Sequence, residues 1–338
     1  MIKRLLMGTL ALTMAVSSAL VASPRAQADA GTVIKFAVLA PPGSKWMESI
    51  NKMNSDLDKK SGGKLKMKIY AGGTMGDEKD VVRKIKQGQL QSAAFTGTGL
   101  GEILPSVRVL ELPMLFDSTE QIDAVTSKLE PHFNKEFADK GYELLAWSEV
   151  GWVYIFSNKP IKNMAELKGT KMWMWEGDRL AKTMFEEMHI SPVPLSLTNV
   201  RSSLQSGLID AVYAPPMAVT ALQWNSKVRY MLNMRLSNTI GAFLVDKKSY
   251  DALSPDLQQL LKAETQKAAR EIVGYSRTQN NQTIAALKSQ GLQVTDVGAP
   301  EREEFTAAAH RAAKDLEGQL YPASLLGEVG SILNKKLT

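Results

Sequence analysis

The sequence contains no cysteine among its 338 residues, so disulfide bonds, thiol nucleophiles and thiolate metal ligands are all excluded. Histidine is also scarce. His132, His189 and His310 lie on separate predicted elements, without the spacing of metal ligands. After the N-terminal segment, no apolar stretch approaches the roughly 20 residues that a transmembrane helix requires. A chain of this length can still bury an ample core without covalent cross-links.

Enzyme signatures are absent as well. The chain shows no nucleophile elbow, zinc-protease motif or similar pattern in a context that would support catalysis. The run Gly97-x-Gly99-x-Gly101 is not a dinucleotide fingerprint: it follows a third predicted strand, its spacing is wrong, and Pro105 follows in place of a helix. We therefore expect a protein that is not an enzyme and that needs no cofactor.

The N-terminus has the features of a secretory signal peptide. Lys3 and Arg4 precede an apolar run, and the run ends near Ala26-Gln27-Ala28, a small-residue cleavage pattern. We predict a signal peptide at 1–28 and a periplasmic mature chain, with an uncleaved membrane anchor as the alternative. Cleavage would remove three cations and lower the formal net charge of +6 by three. Because no basic stripe with interleaved aromatic residues remains, nucleic acid is not an expected partner.

The first hundred residues alternate between strand and helix patterns in the order β-α-β-α-β, which predicts an α/β fold with a parallel sheet. Ligands of such sheets bind beyond the carboxyl ends of the strands. Those ends are predicted at Leu39 to Lys45, Ala71 to Glu78 and Thr96 to Gly99.

The stretch from Trp147 to Pro215 holds four of the six tryptophans. In a strand, alternation places Trp173 and Trp175 on one face and Met172 and Met174 on the other. Tryptophan in a soluble protein belongs in a core or a ligand site, so we predict that this stretch lines one wall of a cleft.

Two features predict lobes joined by a hinge. Strand patterns at 142–147 and 152–157 flank a short crossing segment, and a helical pattern from Ser254 to Gln290 would be roughly 50 Å long. A helix of that length must serve both lobes. We assign residues 29–150 and 240–280 to lobe I, and residues 151–239 and 281–338 to lobe II. Together these features describe two lobes hinged around a cleft.

Five segments resemble one family: GGTMGDEKDVVRKIKQGQLQ, ELPMLF, SNKPIKNMAELKGTKM, SPVPLSLTNVRSSLQSGLIDAV and SPDLQQLL. Together they are similar to the substrate-binding subunits of TRAP transporters, of the DctP type, and the similarity spans nearly the whole mature chain. The resemblance implies a two-lobed periplasmic-binding-protein fold of the type II kind. It also implies a periplasmic protein that captures a small organic ligand, closes around it, and delivers it to a small and a large membrane subunit. Transport in that family is driven by an ion gradient.

The chain departs from the family at the ligand. The family motif G-x-K-x-R ends in an arginine that binds the ligand carboxylate through two contacts. The matching segment here is Gly169 to Trp173, so an indole replaces the guanidinium. A second arginine found in sialic-acid-type members is matched by Val153, and an asparagine that some members use is matched by Ala214.

Several ligand classes remain open. An apolar or aromatic ligand would stack on Trp173 and Trp175. A carboxylate would need another cation, for which the nearby candidates are Lys171, Arg179 and Arg201. A metal ion bridging Glu149 or Glu176 to an anionic ligand is a third possibility, and a cationic ligand caged by tryptophans is a fourth. The full set of predicted ligand-binding residues is Trp46, Glu78, Thr96, Glu149, Trp152, Trp173, Trp175, Glu176, Asn199, Arg201 and Tyr213.

Two other functions would use the same fold. A sensor module would pass ligand occupancy to a signalling receptor, and the binding protein of an ATP-driven importer would serve a different membrane partner. The family pattern argues against the ATP-driven type, whereas only its partners would separate a sensor module from a transport protein. A periplasmic enzyme is the other alternative, and no catalytic motif supports it.

Overall fold

A computed structural model describes residues 31–337, and the predicted signal peptide at 1–28 lies outside the described residues. Within this part, the chain forms ten strands, twelve α-helices and two short 3₁₀ helices. The strands are β1 (Thr32–Val38), β2 (Leu65–Tyr70), β3 (Ser92–Thr96), β4 (Tyr142–Ser157), β5 (Trp173–Trp175), β6 (Val193–Leu195), β7 (Ala211–Ala214), β8 (Tyr230–Asn233), β9 (Ser237–Asp246) and β10 (Gln293–Asp296).

The helices fall between these strands and after them. They are α1 (Lys45–Lys60), α2 (Glu78–Lys86), α3 (Gly97–Ile103), α4 (Thr119–Asp139), α5 (Met164–Lys168), α6 (Arg179–Glu187), α7 (Leu197–Ser206), α8 (Pro216–Ala221), α9 (Lys247–Asp251), α10 (Pro255–Ser289), α11 (Ala299–Leu316) and α12 (Ala323–Leu333). The 3₁₀ helices are Pro105–Glu111 and Trp224–Ser226. None of the helices in residues 31–337 combines the length and apolar character needed to cross a bilayer.

The first half of the molecule, lobe I, is built on the predicted parallel sheet. Strand β1 pairs in parallel with β2 on one side and with β3 on the other, and β9 then joins β3 in antiparallel orientation. Alternate residues of β1 enter cores on opposite faces of this sheet, with Phe36 in one and Ala37 in the other. Helices therefore cover both faces, as the β-α-β-α-β pattern predicts.

The second half, lobe II, shares two long strands with the first. Strand β4 pairs with β9 from Tyr142 to Val153, and beyond that point with β7 and β8. Strand β10 extends this half of the sheet beside β8, while β5 and β6 form a separate parallel pair. The two lobes are therefore joined by strands β4 and β9.

The crossing segment is continuous strand, not a break between two strands as the sequence suggested. Irregularities in the β4–β9 register fall between Leu144 and Ala146 and between Glu149 and Gly151. Gly151 has a φ of +125°, and the carboxamide of Asn280 lies where a β-carbon on residue 151 would stand. Bulges bend and twist a strand, so β4 changes lobes without leaving the sheet.

Helix α10 is the predicted long helix, and its 35 residues from Pro255 to Ser289 confirm that prediction. It packs against β4 at the crossing, against α1 in lobe I and against α8 in lobe II. It therefore braces both lobes along one side of the molecule.

Two expectations need correction. Gly97 begins helix α3, where the sequence analysis expected no helix. The last helix, α12, packs on α4, and its apolar side chains are buried in a core of lobe I, although residues 281–338 were assigned to lobe II. The reason is that Leu325, Leu326 and Val329 complete the apolar surface that α4 offers there.

Candidate ligand-binding cleft

A cavity of about 200 Å³ lies between the two lobes and is lined by residues from both. Lobe I contributes residues beyond the carboxyl ends of β1 and β3, including Leu39, Thr96 and Thr98. This is the position predicted from the alternating strand and helix pattern.

The wall from lobe II is aromatic, and we call its four members, Trp173, Trp175, Tyr213 and Trp224, the aromatic wall. Trp173 lies at its centre: it stacks on Tyr213 with ring centroids 5.1 Å apart, and it meets Trp224 edge to face at 5.4 Å. Trp175 is tilted against it at 5.8 Å. All four line the cavity.

Trp173 is held firmly in this wall. It is only 2% exposed, and its indole Nε1 donates to the backbone oxygen of Leu195 at 3.0 Å. The alternation of β5 is confirmed as well, since Met172 and Met174 enter a different core. Trp173 therefore serves both as a core residue and as cavity lining.

The wall from lobe I carries ionisable side chains, and we call its members, Glu78, Arg108 and Glu111, the charged wall. Glu78 is buried at the start of α2 and accepts three hydrogen bonds. The backbone nitrogen and the hydroxyl of Thr96 donate at 2.7 and 2.8 Å, and the backbone nitrogen of Gly99 donates at 2.6 Å. Burial raises the pKa of Glu78 to about 8, although these bonds oppose the shift.

Arg108 lies between two carboxyl groups. Its Nε is 3.1 Å from Glu111, and its Nη2 donates to Asp178 of lobe II at 3.0 Å. Burial disfavours the charged guanidinium, but the attraction of Asp178 and Glu111 outweighs it and raises the pKa of Arg108. Burial raises the pKa of Glu111 to about 7, with Arg108 opposing the shift. Among the described residues that line the cavity, Arg108 is the single cationic side chain.

The three glycines of α3 make room for the charged wall. A β-carbon on Gly97 would overlap the carboxyl group of Glu111. One on Gly99 would stand 2.7 Å from Glu78 Oε2, and one on Gly101 would stand 2.8 Å from Arg108 Cδ. The spacing that resembles a nucleotide fingerprint therefore has a packing role, one glycine for each charged side chain.

Trp46 and Glu149 also line the cavity, and both are tied to other parts of the protein. The Nε1 of Trp46 donates to Ser276 of α10 at 3.2 Å. Glu149 accepts from Arg277 at 2.7 and 2.9 Å and from Asn238 at 3.0 Å. The Glu149 carboxylate is thus occupied by partners within the protein that join β4, β9 and α10 at the crossing of the lobes.

Seven of the predicted ligand-binding residues therefore line the cavity: Trp46, Glu78, Thr96, Glu149, Trp173, Trp175 and Tyr213. The other four lie outside it. Trp152 points away from the cavity side of β4, into a separate groove where Arg235 stacks on it at 4.7 Å. Glu176, Asn199 and Arg201 are exposed, because the turn after β5 and the outer face of α7 point toward solvent.

The cations proposed to replace the family arginine are not in the cavity either. Lys171, Arg179 and Arg201 are exposed and do not line it. Arg108 is the cation that the sequence analysis missed. The signal was available in SVRVLELP, where Arg108 and Glu111 interrupt a stretch that is otherwise apolar.

A bridging metal ion remains a prediction. In the part of the chain from 31 to 337, no three His, Asp or Glu side chains are grouped so that they could hold a metal ion. Glu176 is exposed and outside the cavity, and Glu149 is paired with Arg277, so these two glutamates do not form a joint site around it.

Comparison with known proteins identifies relatives across the chain. Residues 36–319 match the family described as "Bacterial extracellular solute-binding protein, family 7". The 2,3-diketo-L-gulonate-binding periplasmic protein YiaO of Escherichia coli is 24% identical over 273 residues, which cover 78% of this chain and 80% of that protein. The C4-dicarboxylate-binding periplasmic protein DctP of Rhodobacter capsulatus is 22% identical over 321 residues, 92% of this chain and 90% of that one.

Solved structures share the fold. The sugar acid binding protein DctPAm from Advenella mimigardefordensis, in complex with galactonate, superposes with a TM-score of 0.84 at 19% identity and covers 90% of this chain and 98% of its own. A TRAP periplasmic solute-binding protein from Citrobacter koseri with bound D-glucuronate superposes with a TM-score of 0.80 at 21% identity. It covers 88% of this chain and 99% of its own. The family is one of binding proteins that work with TRAP membrane subunits, not of enzymes. The chain belongs to the bacterial extracellular solute-binding protein family 7, as a solute-binding protein of the TRAP type.

Proposed function

We propose that this protein captures a small, mainly apolar or aromatic solute between its lobes and delivers it to the small and large membrane subunits of a TRAP transporter. The observation that carries the ligand class is the pairing of Arg108. Its charge is already balanced by Asp178 and Glu111, while the opposite wall offers stacked aromatic rings. A ligand carboxylate placed here would be buried without a free cation, which costs several kcal/mol.

The size of the cavity supports a ligand of about one ring. A dry cavity of about 150 Å³ is known to hold benzene, and the cavity here is about 200 Å³. Apolar and aromatic lining with a few polar groups is typical of small-molecule sites. The polar groups would then orient the ligand: Thr96, Thr98, Ser237 and Thr239 also line the cavity.

An organic acid is the second candidate, and the relatives favour it. Galactonate and D-glucuronate are bound by the similar proteins named above. Glu111 gives this candidate a mechanism, because its pKa of about 7 makes the neutral form accessible near neutral pH. Arg108 would then share its charge between Asp178 and the carboxylate of the ligand.

Matched ligand pairs distinguish the two candidates. Thermal-shift assays would compare benzoate with benzamide, and galactonate with its uncharged polyol, each with and without chelator. Ligand binding to the folded state raises the melting temperature. We expect the neutral ring compounds to stabilise the protein more than the acids. Stabilisation by acids alone would favour the second candidate, and stabilisation abolished by chelator would support the bridging metal.

Trp173→Ala tests the aromatic wall. We expect it to weaken binding of the best ring compound by about tenfold or more, the loss typical of a buried aromatic anchor. Trp147→Ala is the control, because Trp147 packs on Phe133 and Phe137 outside the cavity lining. Isothermal titration on the folded fraction measures both. An unchanged dissociation constant in Trp173→Ala would remove Trp173 from the site.

Closure would follow hinge bending at the crossing of β4 and β9. Several indoles border the cavity, so ligand binding should change the tryptophan emission spectrum. We also propose that the leader is cleaved after Ala28, which N-terminal sequencing of the secreted protein would test.

A further inference from the structure

Two aspartates occupy equivalent positions on opposite sides of the cleft. Asp77 of lobe I is the N-cap of α2, where its Oδ1 accepts from the backbone nitrogen of Glu78 at 2.7 Å. Asp178 of lobe II is the N-cap of α6, where its Oδ1 accepts from the backbone nitrogen of Ala181 at 3.0 Å. In each case, one carboxylate oxygen satisfies the helix to which the residue belongs.

The second oxygen of each aspartate crosses to the other lobe. Asp77 Oδ2 accepts from the indole Nε1 of Trp175 at 3.0 Å and from the backbone nitrogen of Leu197 at 2.7 Å. Asp178 Oδ2 accepts from Arg108 Nη2 at 3.0 Å and lies 3.5 Å from the hydroxyl of Thr98. The two sets of bonds therefore run in opposite directions across one cleft.

An N-cap alone does not explain a buried charge at these positions. One oxygen is enough to cap a helix, and asparagine or serine serves as well. Asp77 is 8% exposed and Asp178 is 6% exposed, so both carboxylates have given up most of their water. Asp246 provides the contrast: it caps α9 through Ser249 at 2.9 Å, remains partly exposed, and makes no bond across the cleft.

We propose that Asp77 and Asp178 are reciprocal clasps, which hold the two lobes closed and position Trp175 as cavity wall. Both clasps act on the segment of lobe II from Trp175, the last residue of β5, to Asp178, and the Asp77 clasp also reaches Leu197 at the start of α7. Opening the cleft would break all four crossing contacts while leaving both helix caps intact. The clasps therefore contribute to the equilibrium between open and closed forms, on which apparent ligand affinity depends.

This inference rests on the proposed binding between hinged lobes, but not on the class of ligand. Its test therefore uses the ligand-free protein. Asp77→Asn is the main variant, because asparagine keeps the cap while turning an N–H₂ group or a weaker acceptor toward the two donors of lobe II. Asp178→Asn is the second variant, and Asp246→Asn is the matched control.

Two measurements report on the clasp directly. Hydrogen exchange follows the amide of Leu197, and ¹⁵N-indole spectra follow Nε1 of Trp175. We expect Asp77→Asn to speed exchange at both by about tenfold and to increase the radius of gyration in small-angle scattering. Asp246→Asn should leave all three values at those of the wild type. Unchanged exchange and an unchanged radius in Asp77→Asn would overturn the proposal.

Asp178→Asn also removes a negative charge that pairs with Arg108. Its result is therefore interpreted only if circular dichroism shows a native fold. Trp175→Phe supplies an independent check, since it removes the indole N–H of lobe II that donates to Asp77 of lobe I. If the clasp exists, Asp77→Asn combined with Trp175→Phe opens the cleft less than the sum of the two single effects. Strict additivity would contradict the bond between Asp77 and Trp175. Failure of every ring compound to bind would refute the proposed ligand class without affecting these results.

Discussion

The two walls of the cleft use different chemistry to bury polar and aromatic groups. In lobe I, the charged wall consists of Glu78, Arg108 and Glu111, and each side chain is matched to a glycine of α3. In lobe II, the aromatic wall is held by ring stacking and by two indole hydrogen bonds, from Trp173 to Leu195 and from Trp175 to Asp77 of lobe I. The charges are paired with one another before any ligand arrives, whereas the rings face the cavity. We infer that the aromatic wall supplies binding surface and that the charged wall supplies a fixed polar frame.

The comparison is tested most strongly at Arg108. Arg108→Met would leave Asp178 and Glu111 buried without their cation, and removing one partner of a buried ion pair costs about 3–5 kcal/mol. We expect a loss of that size in the free energy of unfolding, measured with urea. Arg83→Met is the control, because Arg83 pairs with Asp80 at the surface, where such pairs contribute less than about 1 kcal/mol. Equal losses in the two variants would mean that the charged wall is no more than a surface-like pair.

The glycine spacing of α3 provides the next test. Gly97→Ala would force the carboxyl of Glu111 to move, and overpacking of this kind costs about 1–3 kcal/mol. Gly274→Ala is the matched control, because nothing lies near a β-carbon there, and the change should stabilise α10 by about 0.5–1 kcal/mol. Shortening the neighbour in Gly97→Ala/Glu111→Asp should recover part of the loss. No recovery would contradict the pairing of Gly97 with Glu111.

Measured over a single pH unit, the smallest expected effect is a pH dependence from Glu78. Its pKa is about 8 in the folded protein and near 4.5 when unfolded, so the folded state keeps a proton that the unfolded state has released. Stability should therefore fall as pH rises from about 4.5 to 8, by up to about 1.4 kcal/mol for each pH unit. The slope should be smaller in Glu78→Gln. The pKa of Glu111 is raised in the wild type, and Glu111 is unchanged in Glu78→Gln. The difference between the two curves of stability against pH therefore isolates Glu78. Parallel curves would show that Glu78 stays ionised.

Local patterns predicted most of the fold. The β-α-β-α-β order of the first hundred residues and the long helix from Pro255 follow the capping residues and the apolar spacing of the sequence. The exceptions depend on distant contacts. Helix α3 contains three glycines because buried side chains of the charged wall occupy the space that β-carbons would need. Helix α12 joins lobe I because α4 offers an apolar surface there.

The candidate site was only partly predictable. Trp173, Trp175 and Tyr213 could be placed by strand alternation and by the family motif, and they do meet at the cavity. Arg201 and Glu176 have plausible charges and positions along the chain, but they point into solvent. Arg108 was missed because it reaches Asp178 across 70 residues, and no local pattern reports that separation.

By itself, the sequence determined the order of the elements, the tryptophan-rich wall and the replacement of the family arginine by Trp173. These follow from periodicity, capping and residue identity, which act over a few residues. Only the tertiary structure decided that Arg108 faces the cavity already paired, and that Asp77 and Asp178 each bond across the cleft. Those contacts join residues far apart in the chain, and their effect depends on burial, which exists only after the two lobes have folded and met.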